Sequence, residues 1–443
     1  MVRTFATHRI RKTQELSSCL WDFETLPEEG GTVGETAGGK ETAPGKGTAP
    51  VKMKTAVPGC WENCPDTLTY RGKAVYERRF ACEGNIRLEF KGVSHTAQVY
   101  LDDMRIAEHY NAYTPFSAVV KELPAGEHTL RVYVDNSFGP DSALHVPNDY
   151  QTYGGITRPV VLEELKDAYL TKLHFTPLRR DGQWYFVIKG EVKNLSAAPF
   201  EGRILLSLGE ETVAEAAVRA EGNGVCGFET EETLFPQAQE WCPENPVLYL
   251  LNAVLLDAQG RETDDLIDRA GFREVRIEGK DILLRIKGFC RHEDHPQFGC
   301  ALPFAAMQQD LLLMKDMGAN SVRTSHYPND EIFLDLCDET GMLVWEENHA
   351  RGLSEENMRN PNFERQCEDC IREMIEAHYN HPSIYIWGIL NECASHTEYG
   401  KECYRKQYEL IRQLDQSRPR SSASCQFKTD ICFGLPEVVS YNI

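Results

Sequence analysis

The sequence predicts a multidomain β plus α/β chain: a jelly-roll β-sandwich, an immunoglobulin-like β-sandwich, and then parallel βα units of barrel type. Three observations carry that prediction. Short alternating strand patterns with turn signals between them fill the first part of the 443 residues. After Arg276 the rhythm changes to strand and helix in alternation. Residues 384–390 are apolar without a break and run into Asn391 and Glu392, which suits a strand buried on both faces of a parallel sheet.

Composition narrows the class. A chain of 443 residues with 41% hydrophobic content suggests two or three domains with real cores. No stretch approaches the roughly 18 apolar residues of a membrane span, and no apolar h-region follows the basic start, so the reading is cytoplasmic. Fifteen scattered cysteines then read as reduced thiols. Cys367 and Cys370 form a Cys-x-x-Cys inside a helical pattern with no second ligand pair, and carry no zinc or redox reading. A net charge of −21 argues against nucleic acid and anionic membrane as partners.

In chain order, residues 27–50 are a low-complexity Gly, Thr, Ala and Glu stretch, read as a mobile surface insertion because it buries too little apolar surface to offset its ordering entropy. Around it, residues 74–80, 85–90, 97–101 and 128–134 read as strands, with turns at Glu83-Gly84 and Ala125-Gly126. This first domain spans 1–165. From 166 to 275 strand signals resume at 183–188, 203–208 and 247–256, with the spacing of a small immunoglobulin-like sandwich. From 276 to 443 strands at 283–289, 321–324, 342–345, 384–390, about 421 and 437–443 alternate with helices at 303–317, 330–340, 362–379 and 399–413. Gly318 and Gly341 sit where helices stop.

In a parallel barrel the C-terminal strand ends form the active site. Glu392 therefore reads as a carboxyl at an apolar rim, where partial desolvation would keep it protonated as a general acid. A Glu after a strand also serves simply to open the next helix; the rest of the sequence decides between the two.

Asn320-Ser-Val-Arg-Thr-Ser-His-Tyr-Pro, followed by Ile332-Phe333, Asp338 and Gly341-Met-Leu-Val-Trp, resembles one signature of glycoside hydrolase family 2. Residues 380–392 resemble its second signature, which ends in the acid/base Glu. Val57-Pro-Gly-Cys-Trp-Glu and Tyr153-Gly-Gly-Ile-Thr-Arg-Pro-Val resemble stretches of the family's N-terminal sugar-binding domain, so the likeness covers nearly the whole chain.

The resemblance implies a retaining exo-β-glycosidase of β-galactosidase or β-glucuronidase type, working by double displacement on a carbohydrate substrate. It implies Glu392 as acid/base and Asn391, His326, Asp149 and His295 as sugar-binding residues. Arg323 and Glu347 support them, and Arg291, His292 and Glu293 fall at the same rim. The family places its nucleophile after the seventh strand, tens of residues beyond Asn442. The barrel is therefore expected to be an incomplete (β/α)8 TIM barrel, and residues 1–443 alone are expected to be inactive. Its exposed strand edge favours a homo-oligomer. Glu346 and Glu347 end the third strand and are read as support, not as nucleophile. No metal is assigned: Glu347-Asn-His349 spells the Glu-x-His of the family's magnesium-binding galactosidases a few residues early, so Mg stays an open cofactor. The Arg-His-Glu-Asp-His-Pro run leans towards β-galactosidases, while Pro-Gly-Cys-Trp-Glu and Tyr113-Thr-Pro-Phe lean towards β-glucuronidases. The competing reading is a catalytically inactive, truncated carbohydrate-binding protein.

Overall fold

The computed structural model describes residues 2–27, 50–277 and 286–442. Most of the 27–50 insertion, the first residues of the 283–289 strand and Ile443 lie outside the described residues.

The first body is an eight-stranded antiparallel sheet curled into a sandwich. Its spine is the 18-residue strand Lys73–Phe90, paired along its length with Phe116–Asp135. Alternation puts Tyr76, Ile86, Leu88 and Phe90 inward to meet Leu130, Val132, Trp21 and Trp61. The turns expected at Glu83-Gly84 and Ala125-Gly126 do not form. Both pairs lie inside these long strands and face one another, Cys82 opposite Gly126 and Gly84 opposite Leu123, with register shifts on either side of Gly84. Gly84, at φ +78°, absorbs the bulge, so the two strands bend together instead of reversing.

The second body is two four-stranded antiparallel sheets around Phe175, Phe186, Ile204, Leu206 and Phe272. The third is a six-stranded sheet in which every neighbouring pair is parallel: Gly288–Arg291, Ser321–Thr324, Leu343–Glu347, Ile384–Gly388, Arg420–Ser424 and Val438–Tyr441. Helices Phe304–Asp316, Glu331–Thr340, Phe363–His378 and Glu398–Leu414 connect the first five in turn, and the fifth passes to the sixth without a helix. The multidomain β plus α/β class thus stands. Helix ends follow local chemistry: Asp330 caps the second of these helices by accepting from the Ile332 N–H, and Gly341 ends it at φ +69°. Cys367 and Cys370 lie on the buried stripe of Phe363–His378, where burial pushes the Cys370 thiol up to about 12. Among the described residues no helix is long and apolar enough to cross a membrane.

Buried arginines join the bodies. Arg11 binds Asp264 of the second body through Nε and Nη2 at 2.9 and 2.7 Å and Glu163 of the first through Nη1 at 2.8 Å. Arg158 donates to Glu293 at 2.8 Å and to the carbonyls of Tyr113 and Pro328, both at 2.7 Å, which pins the first barrel loop to the sandwich. Removing one partner of a buried pair leaves a charge without compensation. Arg158→Met is therefore expected to destabilise the protein by about 3–5 kcal/mol. Urea denaturation checks this, and a loss below about 1 kcal/mol, the value of an exposed pair, would show that Glu293 finds another partner.

Candidate active site

The polar side chains converge where the parallel strands end, as the barrel rule requires. Leu343–Glu347 ends on two buried carboxylates with different tasks. Glu346 accepts from the Asn329 N–H at 3.3 Å and meets His378 Nδ1 at 3.0 Å, so it faces the helices. Glu347 faces the strand ends. Arg323 Nε and Nη2 reach its two oxygens at 2.8 and 3.1 Å, and His326 Nδ1 lies 2.7 Å from Oε1. Burial works against a charge on Glu347, but Arg323 and His326 outweigh it and hold the carboxyl below the usual carboxylate range.

Arg323 Nη2 also donates to Asn391 Oδ1 at 2.7 Å, and Asn442 Nδ2 donates to that oxygen at 2.9 Å and to Glu392 Oε1 at 2.8 Å. Asn391 Nδ2 is buried with no hydrogen-bond partner among the described residues. On its other side Glu392 meets Arg351, whose Nη2 lies 3.8 Å from Oε2. The sequence reading placed Glu392 at an apolar rim. The structure surrounds its carboxyl with an amide donor and a guanidinium instead.

A loop of the first sandwich completes the mouth. Asp149 Oδ2 accepts from Arg351 Nη2 at 2.7 Å, and Tyr150 Oη lies 3.2 Å from His349 Nε2. Glu62 holds this loop from beneath, taking the Gly154 N–H on both oxygens at 2.9 and 3.0 Å. Tyr150 packs on His292, whose ring meets His326 edge to face at 5.4 Å. Burial first, and then His326, push the His292 imidazole down.

The structure thus brings together Glu392, Asn391, Arg323, Glu347 and His326, with Asp149 joined through Arg351. His295 stands apart: it stacks on Phe298 at 4.8 Å, closes its own turn with Gly299, and makes no described contact with the others. Sequence reasoning missed Arg351 and Asn442. Each had a signal, since Arg351 follows the third strand within a few residues and Asn442 directly follows the sixth.

Glu347 and His349 do not fit a magnesium site. Both Glu347 oxygens are taken by cationic or N–H donors, and His349 lies in a buried ring stack 4.3 Å from His145, with Tyr150 on its Nε2. The buried group Asp335, Asp338 and His381 is likewise engaged, Asp335 by Arg3 at 2.7 and 2.9 Å and Asp338 by His381 at 2.6 Å.

Three family models match: "Glycosyl hydrolases family 2, TIM barrel domain" over 272–434, "Glycosyl hydrolase 2 galactose-binding domain-like" over 63–164, and "Glycosyl hydrolases family 2" over 168–273. A putative β-glucuronidase of Formosa agariphila is 30% identical over 75% of this chain and 42% of its own length. A β-galactosidase of Thermoanaerobacter pseudethanolicus is 30% identical over 79% and 46%. The chain thus spans about half the length of these curated relatives. A crystal structure of a GH2 β-galacturonidase from Eisenbergiella tayi bound to galacturonate is 64% identical, covers 100% of this chain and 77% of that one, and superposes with a TM-score of 0.93. Bacteroides uniformis β-glucuronidase is 26% identical, covering 98% of this chain and 55% of that one, at a TM-score of 0.83.

The buried histidines make stability depend on pH. Burial, then His95 and His326, push His349 down to about 3 from an ordinary 6.5. Below about 6.5 the unfolded chain takes up a proton that the folded His349 refuses, so its contribution weakens stability by at most about 1.4 kcal/mol per pH unit. His349→Gln should therefore lose less stability than the parent between pH 7 and pH 5, narrowing the gap between them by about 2 kcal/mol in urea titrations. An unchanged gap would show that His349 titrates normally.

Proposed function

The chain belongs to glycoside hydrolase family 2, and on that premise we propose that the protein hydrolyses terminal β-linked galacturonides, with Glu392 as acid/base. The observation that carries this reading is the 64% identity, over the whole of this chain, to a β-galacturonidase with galacturonate bound. The β-glucuronidase and β-galactosidase relatives described above reach 30% or less. The substrate also reconciles the two leanings of the sequence. Galacturonate has the axial 4-hydroxyl of galactose and the C6 carboxylate of glucuronate.

In this reading Glu392 protonates the glycosidic oxygen as the bond to the anomeric carbon breaks, then as the conjugate base draws a proton from the attacking water. Asn391 turns its unpartnered Nδ2 to the sugar 2-hydroxyl, because Arg323 and Asn442 both hold Oδ1 and leave the amide one orientation. His326, tied to Glu347 through Nδ1, keeps Nε2 for the sugar. The Asp149 loop closes the mouth from the sandwich side, and His295 belongs to the outer rim.

Retention requires a second carboxylate about 5–5.5 Å from the acid. We assign that nucleophile to neither Glu346 nor Glu347, since His378 engages the first and Arg323 with His326 both oxygens of the second.

The protein with its nucleophile region in place should cleave an aryl β-D-galacturonide faster than the matching β-D-galactoside and β-D-glucuronide, with β-galacturonate as first product by NMR, while residues 1–443 alone should show no turnover. Glu392→Gln should cut kcat/KM on a poor leaving group by about 10²- to 10⁴-fold, and much less on a dinitrophenyl glycoside that needs little protonation. A faster glucuronide would overturn the sugar assignment. Full activity of Glu392→Gln would remove the acid, and saccharide binding without turnover by the parent protein would favour the carbohydrate-binding reading.

A further inference from the structure

One guanidinium at the mouth serves two carboxylates. Arg351 Nη2 lies 2.7 Å from Asp149 Oδ2 and 3.8 Å from Glu392 Oε2. Asn148, beside Asp149, accepts from Nη1 at 3.3 Å, so the sandwich loop takes both ends of the fork. Arg351 is held in place by its backbone, since the Gly352 N–H donates to the Asn391 carbonyl at 2.8 Å. Asp149 makes no other described side-chain contact, and its side chain is 69% exposed. Its ion pair is thus no prop of the fold.

We propose that Asp149 is a positioning residue for the acid/base: by holding Arg351 on its own carboxylate it keeps the guanidinium from pairing fully with Glu392, so a loop of the first sandwich sets how readily the acid releases its proton. This rests on Glu392 being the acid. It differs from the sugar-contacting role that the family resemblance implied for Asp149, because the contact in hand runs to Arg351.

The groups facing Glu392 allow little else to set its charge. Arg351 comes from the loop after the third strand, Asn442 from beyond the sixth, Cys425 from beyond the fifth, and Cys393 is its chain neighbour. Burial pushes both thiols up, Cys393 to about 12, so they are neutral near pH 7. Asn442 carries no charge. Arg323 and Glu347 neutralise each other and touch Glu392 only through Asn391 and Asn442. Arg351, with Asp149 behind it, is the nearest net influence among the described residues.

The signs follow. Without the Asp149 charge, Arg351 is released towards Glu392 and favours its ionised form, so the acid is lost at lower pH. Without Arg351 the carboxylate loses its counter-ion and stays protonated to higher pH. The test is the kcat/KM–pH profile of the protein with its nucleophile region in place, on an aryl β-D-galacturonide with a poor leaving group. Asp149→Asn should move the alkaline limb down and Arg351→Gln should move it up, each by about half a unit given the solvent screening at an exposed pair. The double variant should fall back towards the parent. The pH dependence of carbodiimide labelling at Glu392, followed by peptide mass mapping, should shift in the same directions and needs no turnover. Melting temperatures of parent and Asp149→Asn should agree.

If Asp149→Asn only raises KM and leaves the limb and the labelling profile where they were, Asp149 is a sugar ligand and the proposal is wrong. Shifts of the same sign in both single variants would overturn it too. Failure of the acid assignment looks different: Glu392→Gln would keep its activity and its alkaline limb whatever Asp149 did.

Discussion

The buried guanidinium of Arg323 is what the polar end of the parallel sheet depends on. It leaves the second strand, meets Glu347 at the end of the third by two hydrogen bonds, reaches Asn391 beyond the fourth, and touches Asn442 beyond the sixth at 3.3 Å. A planar fork can do this and an ammonium cannot, because the donors point in fixed, separate directions. Its face also lies over Trp345, 5.0 Å from the ring centroid, which leaves the group little freedom to rotate. Four strand ends are thereby held in register by one side chain. A carboxylate as buried as Glu347 is tolerable only because that cation and His326 accompany it. Asn391 gains its orientation from the same source, for an amide whose oxygen already accepts from two donors has only its nitrogen left to offer.

The sandwich supplies what the sheet lacks. Its 148–154 loop carries Asn148, Asp149, Tyr150 and Tyr153 across to Arg351, His349 and Asp294. Such a loop would be mobile if it met the barrel alone. Glu62 prevents that by taking the Gly154 N–H on both oxygens and Asn136 Nδ2 on one, at 3.2 Å. The space there admits only glycine, since a Cβ on Gly154 would lie 2.1 Å from the Trp61 ring. The Gly-Gly in that motif therefore marks a close approach between loop and core, and the Trp61-Glu62 pair in the earlier motif is its other half.

Much of this was legible because the barrel half obeys simple periodicities. Strand Ser321–Thr324 and helix Glu331–Thr340 fall within a residue or two of their expected bounds, the helix announced by Asp330 and Gly341. The jelly-roll half was less legible. A glycine beside a polar residue in an alternating run reads equally as a turn or as a bulge, and only the partner strand decides; Gly84 lies opposite Leu123 and Gly126 opposite Cys82, pairings that no local window shows. In the site, residues belonging to motifs were found, and those whose role arises from pairing across the fold were not. Arg351 matters because Asp149, 202 positions away, reaches it. His295 stands inside a motif, but its turn points it at Phe298.

The acid also shows why regular secondary structure must stop where chemistry begins. In an extended strand consecutive side chains point to opposite faces, and Asn391 and Glu392 could not then share a partner. Yet both accept from the same Asn442 Nδ2, at 2.9 and 2.8 Å. The alternation is broken by Leu390 and Glu392, whose φ values of 45° and 54° lie in the left-handed region, at a cost of about 1–3 kcal/mol for each such residue. Neighbours hold the break open. The Leu390 N–H donates to Asn348 Oδ1 at 3.2 Å, Tyr404 Oη donates to the Leu390 carbonyl at 2.7 Å, and the Glu392 N–H donates to the Ala423 carbonyl at 2.9 Å. These partners come from the loop after the third strand, from helix Glu398–Leu414 and from the fifth strand, so the conformation is over-determined by three separate elements. Strain maintained in that way puts two adjacent side chains on one side of the sheet end. The apolar run before Asn391 is the anchor for that break, because a fourth strand buried on both faces cannot slide to relieve it.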